Sequence, residues 1–220
     1  MSEPISDVSR RRILECVRRG LRAFEPPPVP PPGPTPEETP APDADLAALF
    51  QKRWEALAAR FHRAENPAEL ETVLLGLLAP LAGKSAIVSD HPLLKAVDMD
   101  AVLGRAGLKR LAASVPEAAT AEVGLTGAEL ALASTATLLL TGDHPGDLIA
   151  SLLPPVHVAL VPRSGLIHSL AQALPRLTAR SLPRAAVLVT GPSKTGDIEL
   201  TMVLGVHGPG QVHAVLLDWA

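Results

Sequence analysis

Apolar residues recur at helical spacing over the first part of the chain, which predicts three helices. The first spans residues 5–24, and the other two begin near Asp43 and Asn66. Asp43 and Asn66 are typical N-cap residues, and Pro67 and Glu69 complete a capping-box start after Asn66. The three apolar stripes consist of Ile13, Leu14, Val17 and Leu21, of Leu46, Phe50, Trp54, Leu57 and Phe61, and of Leu70, Val73, Leu74, Leu77 and Leu81.

From Lys84 onward the pattern changes to short apolar runs bounded by glycine, proline or polar residues. Such runs are typical of buried strands, and predicted helices at 99–106, 128–134 and 165–180 lie between several of them. This alternation predicts an α/β fold, an open and mainly parallel sheet flanked by helices. The last run could pair as an edge strand in either direction. The predicted strands are 86–89, 138–141, 156–161, 185–190 and 212–217.

A proline-rich segment separates the first helix from the rest of the chain. Residues 26–42 contain ten prolines in seventeen positions, a composition that favours polyproline II and cannot bury a core. We therefore predict an amphipathic helix within residues 1–25, a linker at 26–42, and an α/β domain with leading helices at 43–220. The arginines of the first helix form either a solvated face or a docking surface for an acidic partner.

Composition excludes several classes of function. Aromatic residues make up only 2% of the chain and the net charge is -3, which argues against nucleic-acid binding by base stacking or by a basic field. Cys16 is the only cysteine, so neither an intramolecular disulfide nor a self-contained iron–sulfur cluster is expected. The histidines lack metal-ligand spacing, and we expect no metal site. Without a signal-peptide pattern or an apolar run of about 20 residues, we expect a cytoplasmic chain with no membrane span.

The glycine-rich stretch 190–210 follows a predicted strand and carries the densest polar chemistry of the chain. Its Lys194 precedes the second glycine, so the stretch fails the phosphate-loop pattern of nucleotide hydrolases. Flanking hydroxyls would still allow Lys194 to bind a carboxylate or a phosphate, or the lysine is simply solvated. Asp197 is a candidate for hydroxyl binding, for acid–base chemistry or for helix capping, and His207 for orienting a ligand or transferring a proton.

A second polar cluster lies within residues 124–146. Thr126 and Gly127 are predicted to end a strand and to open a helix whose N-terminus favours anions. His157 and His213 lie inside apolar runs and are predicted to be core residues bonded to a neighbour. We predict that the two clusters meet in one cavity at one rim of the sheet. The predicted ligand-binding residues are Thr126, Gly127, Ser134, Thr135, Thr137, Gly191, Ser193, Lys194, Thr195, Asp197, Glu199 and His207.

Three stretches, GLTGAELALASTATLLL (124–140), SLLPPVHVALVP (151–162) and GPSKTGDIELTMVLGVHGPGQVHAVLL (191–217), resemble the lactate-utilization protein C family, which consists of a LUD domain. The resemblance covers roughly residues 66–217. It implies a fold similar to the sugar-phosphate isomerase and CoA-transferase group. It also implies a role in oxidising L-lactate to pyruvate beside two iron–sulfur partner proteins. This chain would be a ligand-binding or structural subunit without a cluster of its own.

One departure from the family pattern falls inside a matching stretch. The family commonly has Ala-Glu-Thr-Gly-Thr where this chain has residues 133–137, so Ser134 replaces a carboxylate. The alternative function is a free-standing enzyme acting on a CoA thioester or a small phosphorylated acid, by analogy with the fold alone. A regulatory or scaffolding protein is a third hypothesis.

Overall fold

The computed structural model describes residues 7–23, 45–142, 145–179, 182–197, 201–205 and 207–220. The chain divides into two compact units, residues 1–37 and 38–220. The first unit contains helix α1 (Asp7–Ala23), which lies within the predicted segment 5–24 and whose apolar stripe is exposed. The predicted proline-rich linker 26–42 and the predicted cap Asp43 lie outside the described residues.

The structure contains the three helices that the sequence predicts for the first part of the chain. Helix α2 (Leu46–Ala56) is capped by Asp45 and not by the predicted Asp43, because the Asp45 side chain accepts hydrogen bonds from the backbone N–H groups of Ala47 and Ala48. The predicted start at Asn66 is confirmed, because its side chain accepts from the N–H of Glu69 at 3.0 Å. No helix in the described ranges is long and apolar enough to cross a lipid bilayer. The helices are α1 Asp7–Ala23, α2 Leu46–Ala56, α3 Pro67–Leu78, α4 Met99–Ala106, α5 Val115–Ala118, α6 Pro145–Leu152 and α7 Leu170–Thr178.

The strands form a main sheet, a smaller second sheet and a separate hairpin. They are β1 Arg60–Ala64, β2 Ser85–Val88, β3 Lys109–Arg110, β4 Val123–Gly127, β5 Leu130–Leu132, β6 Thr137–Thr141, β7 Val156–Pro162, β8 Leu166–Ile167, β9 Ala186–Val189, β10 Lys194–Asp197, β11 Thr201–Leu204 and β12 Gln211–Leu217.

The main sheet has the order β1-β12-β7-β4-β2-β3, and all its neighbours are parallel, which confirms the predicted α/β class. The prediction of an edge position for 212–217 is wrong. Strand β12 lies inside the sheet, between β1 and β7. Its side chains alternate between two hydrophobic cores. Val215 and Leu217 pack into one core, and Ala214 and Leu216 pack into the other. A strand buried on both faces reads as a continuous apolar run.

Each face of the main sheet is covered by different elements. Helices α3 and α4 pack on one face, around residues such as Leu74 and Leu103. Helix α2 and the second sheet cover the other face, where Phe50 and Trp54 are almost fully buried. Helix α6 shares a further small core with β2. The layered arrangement leaves the two ends of the parallel strands as the places where loops can form a site.

The second sheet, of order β8-β5-β6-β9, corrects two sequence predictions. The helix predicted at 128–134 is wrong, because this segment forms β5 and pairs antiparallel with β6. Ala136 adopts a positive φ of 50° in the turn between these two strands. The strands predicted at 138–141 and 185–190 exist, but they pair with each other here and not in the main sheet. A short apolar run cannot distinguish these pairings.

Two predicted helices are shorter than expected. The stripe that was predicted to run to Phe61 is helical only to Ala56, and Phe61 lies in β1. Ala58 has a positive φ of 65°, which breaks the helix, and the indole N–H of Trp54 donates to the carbonyl of Arg60 at 3.0 Å. The helix predicted at 165–180 begins only at Leu170, since β8 precedes it.

Candidate functional site

A cavity of about 500 Å³ lies at the carboxyl ends of the parallel strands. Four polar side chains from four different parts of the fold line it. Glu129 follows β4, Thr141 ends β6, Ser164 follows β7, and Arg176 belongs to α7. Open parallel sheets place ligands at this edge because the loops that leave the strands diverge there. We refer to this space as the carboxyl-edge cavity.

Glu129 is held in place by a histidine behind it. The Nε2 atom of His91 lies 3.3 Å from Oε1 of Glu129, and the Thr141 hydroxyl donates to the same oxygen at 3.4 Å. The Nδ1 atom of His91 accepts a hydrogen bond from the backbone N–H of Leu93 at 3.2 Å. A neutral imidazole with an accepting Nδ1 carries its proton on Nε2, so His91 donates to the carboxylate.

Gly127 allows this histidine to approach the sheet. A Cβ atom on Gly127 would lie 2.0 Å from Nδ1 of His91, closer than any real contact. Only glycine is therefore compatible with the observed position of the imidazole. The side chain of His91 is 15% exposed, whereas that of Glu129 is 37% exposed. The imidazole thus supports the carboxylate, and the carboxylate is the group that a ligand can reach.

The lining of the carboxyl-edge cavity defines what it can do chemically. Glu129 can accept a hydrogen bond or a proton, and the N–H that His91 donates to Oε1 stabilises the ionised form of the carboxylate. The guanidinium of Arg176 can pair with a carboxylate or a phosphate in a bidentate manner. Thr141 and Ser164 add hydroxyls. The arrangement suits a small ligand that has both an anionic group and a hydroxyl or carbonyl group.

The structure separates the predicted site residues. Thr126 lies in the main sheet and is fully buried, and its hydroxyl lies 2.8 Å from Nε2 of His157. Gly127, at the end of the same strand, packs against His91 as described above. The chain continues from Gly127 into β5, so the helix N-terminus predicted here is wrong.

The predicted hydroxyls form a short chain of contacts. The Thr135 and Thr137 hydroxyls lie 2.8 Å apart, and that of Thr137 lies 2.9 Å from the hydroxyl of Thr190. Thr190 precedes Gly191, whose added Cβ would lie 3.0 Å from Cβ of Leu57. The hydroxyl cluster therefore does meet the start of the glycine-rich stretch. The backbone N–H of Ser134 donates to the carbonyl of His168 at 2.8 Å, and Ser134 does not line the carboxyl-edge cavity.

The later part of the glycine-rich stretch lies at the end of the main sheet opposite to the carboxyl-edge cavity. Gly205 and Gly210 line a second cavity of about 470 Å³ together with Arg60, Val156 and Gln211, the first residues of β1, β7 and β12. This amino-edge cavity is not where Thr126 and Gly127 lie. Those of the predicted residues that the structure describes therefore do not line one cavity, because β9, which leads into the stretch, pairs in the second sheet.

Within the stretch, backbone hydrogen bonds fix the loop. The N–H of Ser193 donates to the carbonyl of Pro209, and the N–H of Gly205 donates to the carbonyl of Ser193, both at 2.9 Å. Lys194 and His207 are exposed. The backbones of Thr195 and Asp197 lie in β10, and Glu199 lies outside the described residues. Ligand binding by this set stays a prediction.

Two buried histidines confirm the prediction that they are core residues bonded to a neighbour. His157 contacts Thr126, and Nδ1 of His213 lies 3.2 Å from Nε2 of His62. Burial, and after it the charge of nearby His213, lowers the pKa of His157 from 6.5 to about 4. Burial, followed by the charges of His62 and Arg60, lowers the pKa of His213 to about 4 as well. Both imidazoles are neutral at physiological pH.

Sequence reasoning missed Glu129, His91 and Arg176. Glu129 stood two residues after Gly127 as a lone carboxylate in an apolar stretch, and this was a usable signal. His91 and Arg176 carried no signal, because only the fold brings them to the same edge. Over the described part of the chain, no three His, Cys, Asp or Glu side chains are grouped so that they could hold a metal ion.

Comparison with known proteins gives one family. A family model for the LUD domain matches residues 47–217. Lactate utilization protein C of Anoxybacillus flavithermus is 29% identical over 149 residues, which is 66% of this chain and 68% of that protein. The protein of the same name from Shouchella clausii is 28% identical over 183 residues, 79% of this chain and 80% of that protein. The one from Macrococcus caseolyticus is 35% identical over 103 residues, 44% and 45% of the two chains.

A solved structure supports the fold. The crystal structure of a DUF162 family protein from Deinococcus radiodurans matches with a TM-score of 0.53 and 19% identity. The match covers 81% of this chain and 100% of that chain. At this identity the similarity shows the fold alone.

Proposed function

Because the chain belongs to the LUD domain family, we propose that it takes part in lactate utilization as a cytoplasmic ligand-binding subunit. The observation that carries this proposal is the similarity to two proteins named lactate utilization protein C, which extends over 66% and 79% of the chain. Its reaction would be the oxidation of L-lactate to pyruvate, in which this chain binds and orients a small anionic ligand.

The carboxyl-edge cavity is the proposed binding site. Four polar residues from four parts of the fold line it: Glu129, Thr141, Ser164 and Arg176. Lys194 and His207, by contrast, are exposed in the glycine-rich stretch. Lactate has a carboxylate and a hydroxyl, the two groups for which a guanidinium and a carboxylate acceptor are suited. Ser134, which stands where the family commonly has glutamate, does not line this cavity.

Electron transfer is assigned to partner proteins. An iron–sulfur cluster is normally held by four thiolates, and Cys16, in α1, is the only cysteine of the chain. We therefore assign the clusters to separate iron–sulfur proteins and no intrinsic cofactor to this chain. Its part is to bind and orient the acid and to accept a hydrogen bond from its hydroxyl at Glu129.

Deleting the gene in its native host tests the proposed function. The deletion strain is expected to lose growth on L-lactate and to keep growth on pyruvate, and a plasmid copy restores growth. An affinity-tagged copy in the same strain is expected to retain cysteine-rich iron–sulfur proteins. Unchanged growth on L-lactate in the deletion strain contradicts the proposal. Stabilisation of the purified chain by a CoA thioester or a sugar phosphate would then favour the free-standing enzyme.

A further inference from the structure

The carboxyl-edge cavity is larger than lactate requires. At about 30 Å³ for each water-sized group, the six non-hydrogen atoms of lactate fill at most ~180 Å³. The cavity measures about 500 Å³. Lactate alone would leave more than half of this space to water or to nothing. The cavity therefore has room for a ligand with additional atoms.

The additional space has an apolar wall. Leu130, Pro162, Leu177 and Pro183 line the same cavity as Glu129 and the other polar groups. Leu130 and Leu177 also belong to the small core between the second sheet and α7. Apolar groups gain free energy when they leave water for such a wall, by an amount that corresponds to about fourfold in affinity for each methylene.

The polar groups of the cavity determine which polar groups a ligand can carry at the end that does not contact the apolar wall. Among the described residues of the lining, Arg176 is the cationic side chain and Glu129 the anionic one. A ligand with two carboxylates would bring its second charge close to Glu129, and like charges disfavour this. A ligand hydroxyl can donate to Glu129 in addition to the donors already on it, because an ionised carboxylate offers about four acceptor sites. One carboxylate and one adjacent hydroxyl fit the lining best.

From these observations we infer that the carboxyl-edge cavity takes 2-hydroxy carboxylates whose apolar side chain is larger than the methyl group of lactate. Arg176 binds the carboxylate, Glu129 accepts the hydrogen bond of the hydroxyl, and Leu130 and Leu177 contact the side chain. The inference rests on the proposed function in taking a hydroxy acid as the ligand. It adds a substrate class that the names of the relatives do not state.

Isothermal titration of the full-length chain tests the inference with three probes: L-lactate, L-2-hydroxyisocaproate and 4-methylpentanoate, which lacks the hydroxyl. The expected result is that L-2-hydroxyisocaproate binds at least about tenfold more tightly than either of the others. Arg176→Ala is expected to weaken this binding at least about tenfold. Arg184→Ala serves as the matched control, since Arg184 is exposed and does not line the cavity.

The outcomes separate this inference from the proposed function. If L-lactate binds as tightly as L-2-hydroxyisocaproate or more tightly, the inference of a larger side chain is wrong, but the proposed role in lactate utilization is unaffected. If no probe binds, or if Arg176→Ala and Arg184→Ala lose equal affinity, the assignment of the ligand to this cavity is wrong. The role in lactate utilization is tested separately, by growth of the deletion strain. Leu177→Ala provides a second test, because it should weaken the binding of L-2-hydroxyisocaproate and leave the binding of L-lactate unchanged. Arg176→Gln replaces Arg176→Ala if the latter does not fold.

Discussion

His91 and Glu129 meet at the carboxyl edge of the main sheet, with Nε2 of the imidazole 3.3 Å from Oε1 of the carboxylate. The histidine comes from the segment after β2 and the glutamate from the segment after β4, two neighbouring parallel strands. Each side chain is held by another contact, His91 by the N–H of Leu93 and Glu129 by the hydroxyl of Thr141. The pair is therefore already oriented before a ligand binds, which reduces the cost of binding.

Gly127→Ala should disrupt this pair. The new Cβ would lie 2.0 Å from Nδ1 of His91, so the imidazole must move away from Glu129. We expect a loss of about 1–3 kcal/mol in the free energy of unfolding and weaker binding of hydroxy acids. Urea unfolding and titration calorimetry measure the two effects.

Gly104→Ala is the control for this change. Gly104 lies in α4 and an added Cβ meets no atom within 4 Å, so alanine should stabilise the helix by about 0.5–1 kcal/mol. If Gly127→Ala were as stable as Gly104→Ala and bound ligand normally, the close approach of His91 would have no role.

Acid should destabilise the fold through its buried histidines. The folded-state pKa of His157 is about 4, below the unfolded value of 6.5, so the unfolded chain binds more protons between these values. The stability that neutral His157 confers is complete above pH 6.5 and is lost as the pH falls toward 4. The loss should reach about 2 kcal/mol near pH 5 for His157 alone.

Urea unfolding near pH 7.5 and near pH 5 measures this loss. His157→Gln should show a smaller difference between the two conditions, because glutamine can keep a hydrogen bond to Thr126 and does not titrate. The exposed His207→Gln should keep the wild-type difference. An unchanged pH dependence in His157→Gln would show that the acid response arises elsewhere.

The N-cap of α3 provides a local test of the fold. The side chain of Asn66 accepts a hydrogen bond from the N–H of Glu69 at 3.0 Å. Asn66→Ala should lower the free energy of unfolding by about 1 kcal/mol, whereas Asn66→Asp, which retains an acceptor, should change it little. Equal stability of the two variants, measured by urea unfolding, would mean that the cap contributes nothing.

Residues close in sequence determine the parts of the fold that were predicted correctly. The capping residues around Asn66 and the apolar runs at 156–161 and 212–217 depend on local patterns, and they appear as α3, β7 and β12. The α/β class follows from the alternation of helical segments and short apolar runs along the chain. The segment 128–134 was mistaken for a helix, because its apolar positions fit either period and only pairing with β6 makes it a strand.

The candidate site depended on contacts that the sequence does not encode locally. The glycine-rich stretch follows a strand as predicted, but the pairing of β9 with β6 places the later part of the stretch away from Gly127. Glu129 was visible as a carboxylate in an apolar stretch, yet Arg176 reaches the same cavity only because α7 packs against β5. Long-range packing of this kind is decided by the whole fold.

We expect the carboxyl-edge cavity, and not the stretch around Lys194, to bind the acid. Growth of the deletion strain carrying either Glu129→Gln or Lys194→Ala distinguishes the two sites. With both variants present at wild-type levels, Glu129→Gln should abolish growth on L-lactate, whereas Lys194→Ala should support normal growth. Normal growth with Glu129→Gln together with lost growth with Lys194→Ala would contradict this expectation.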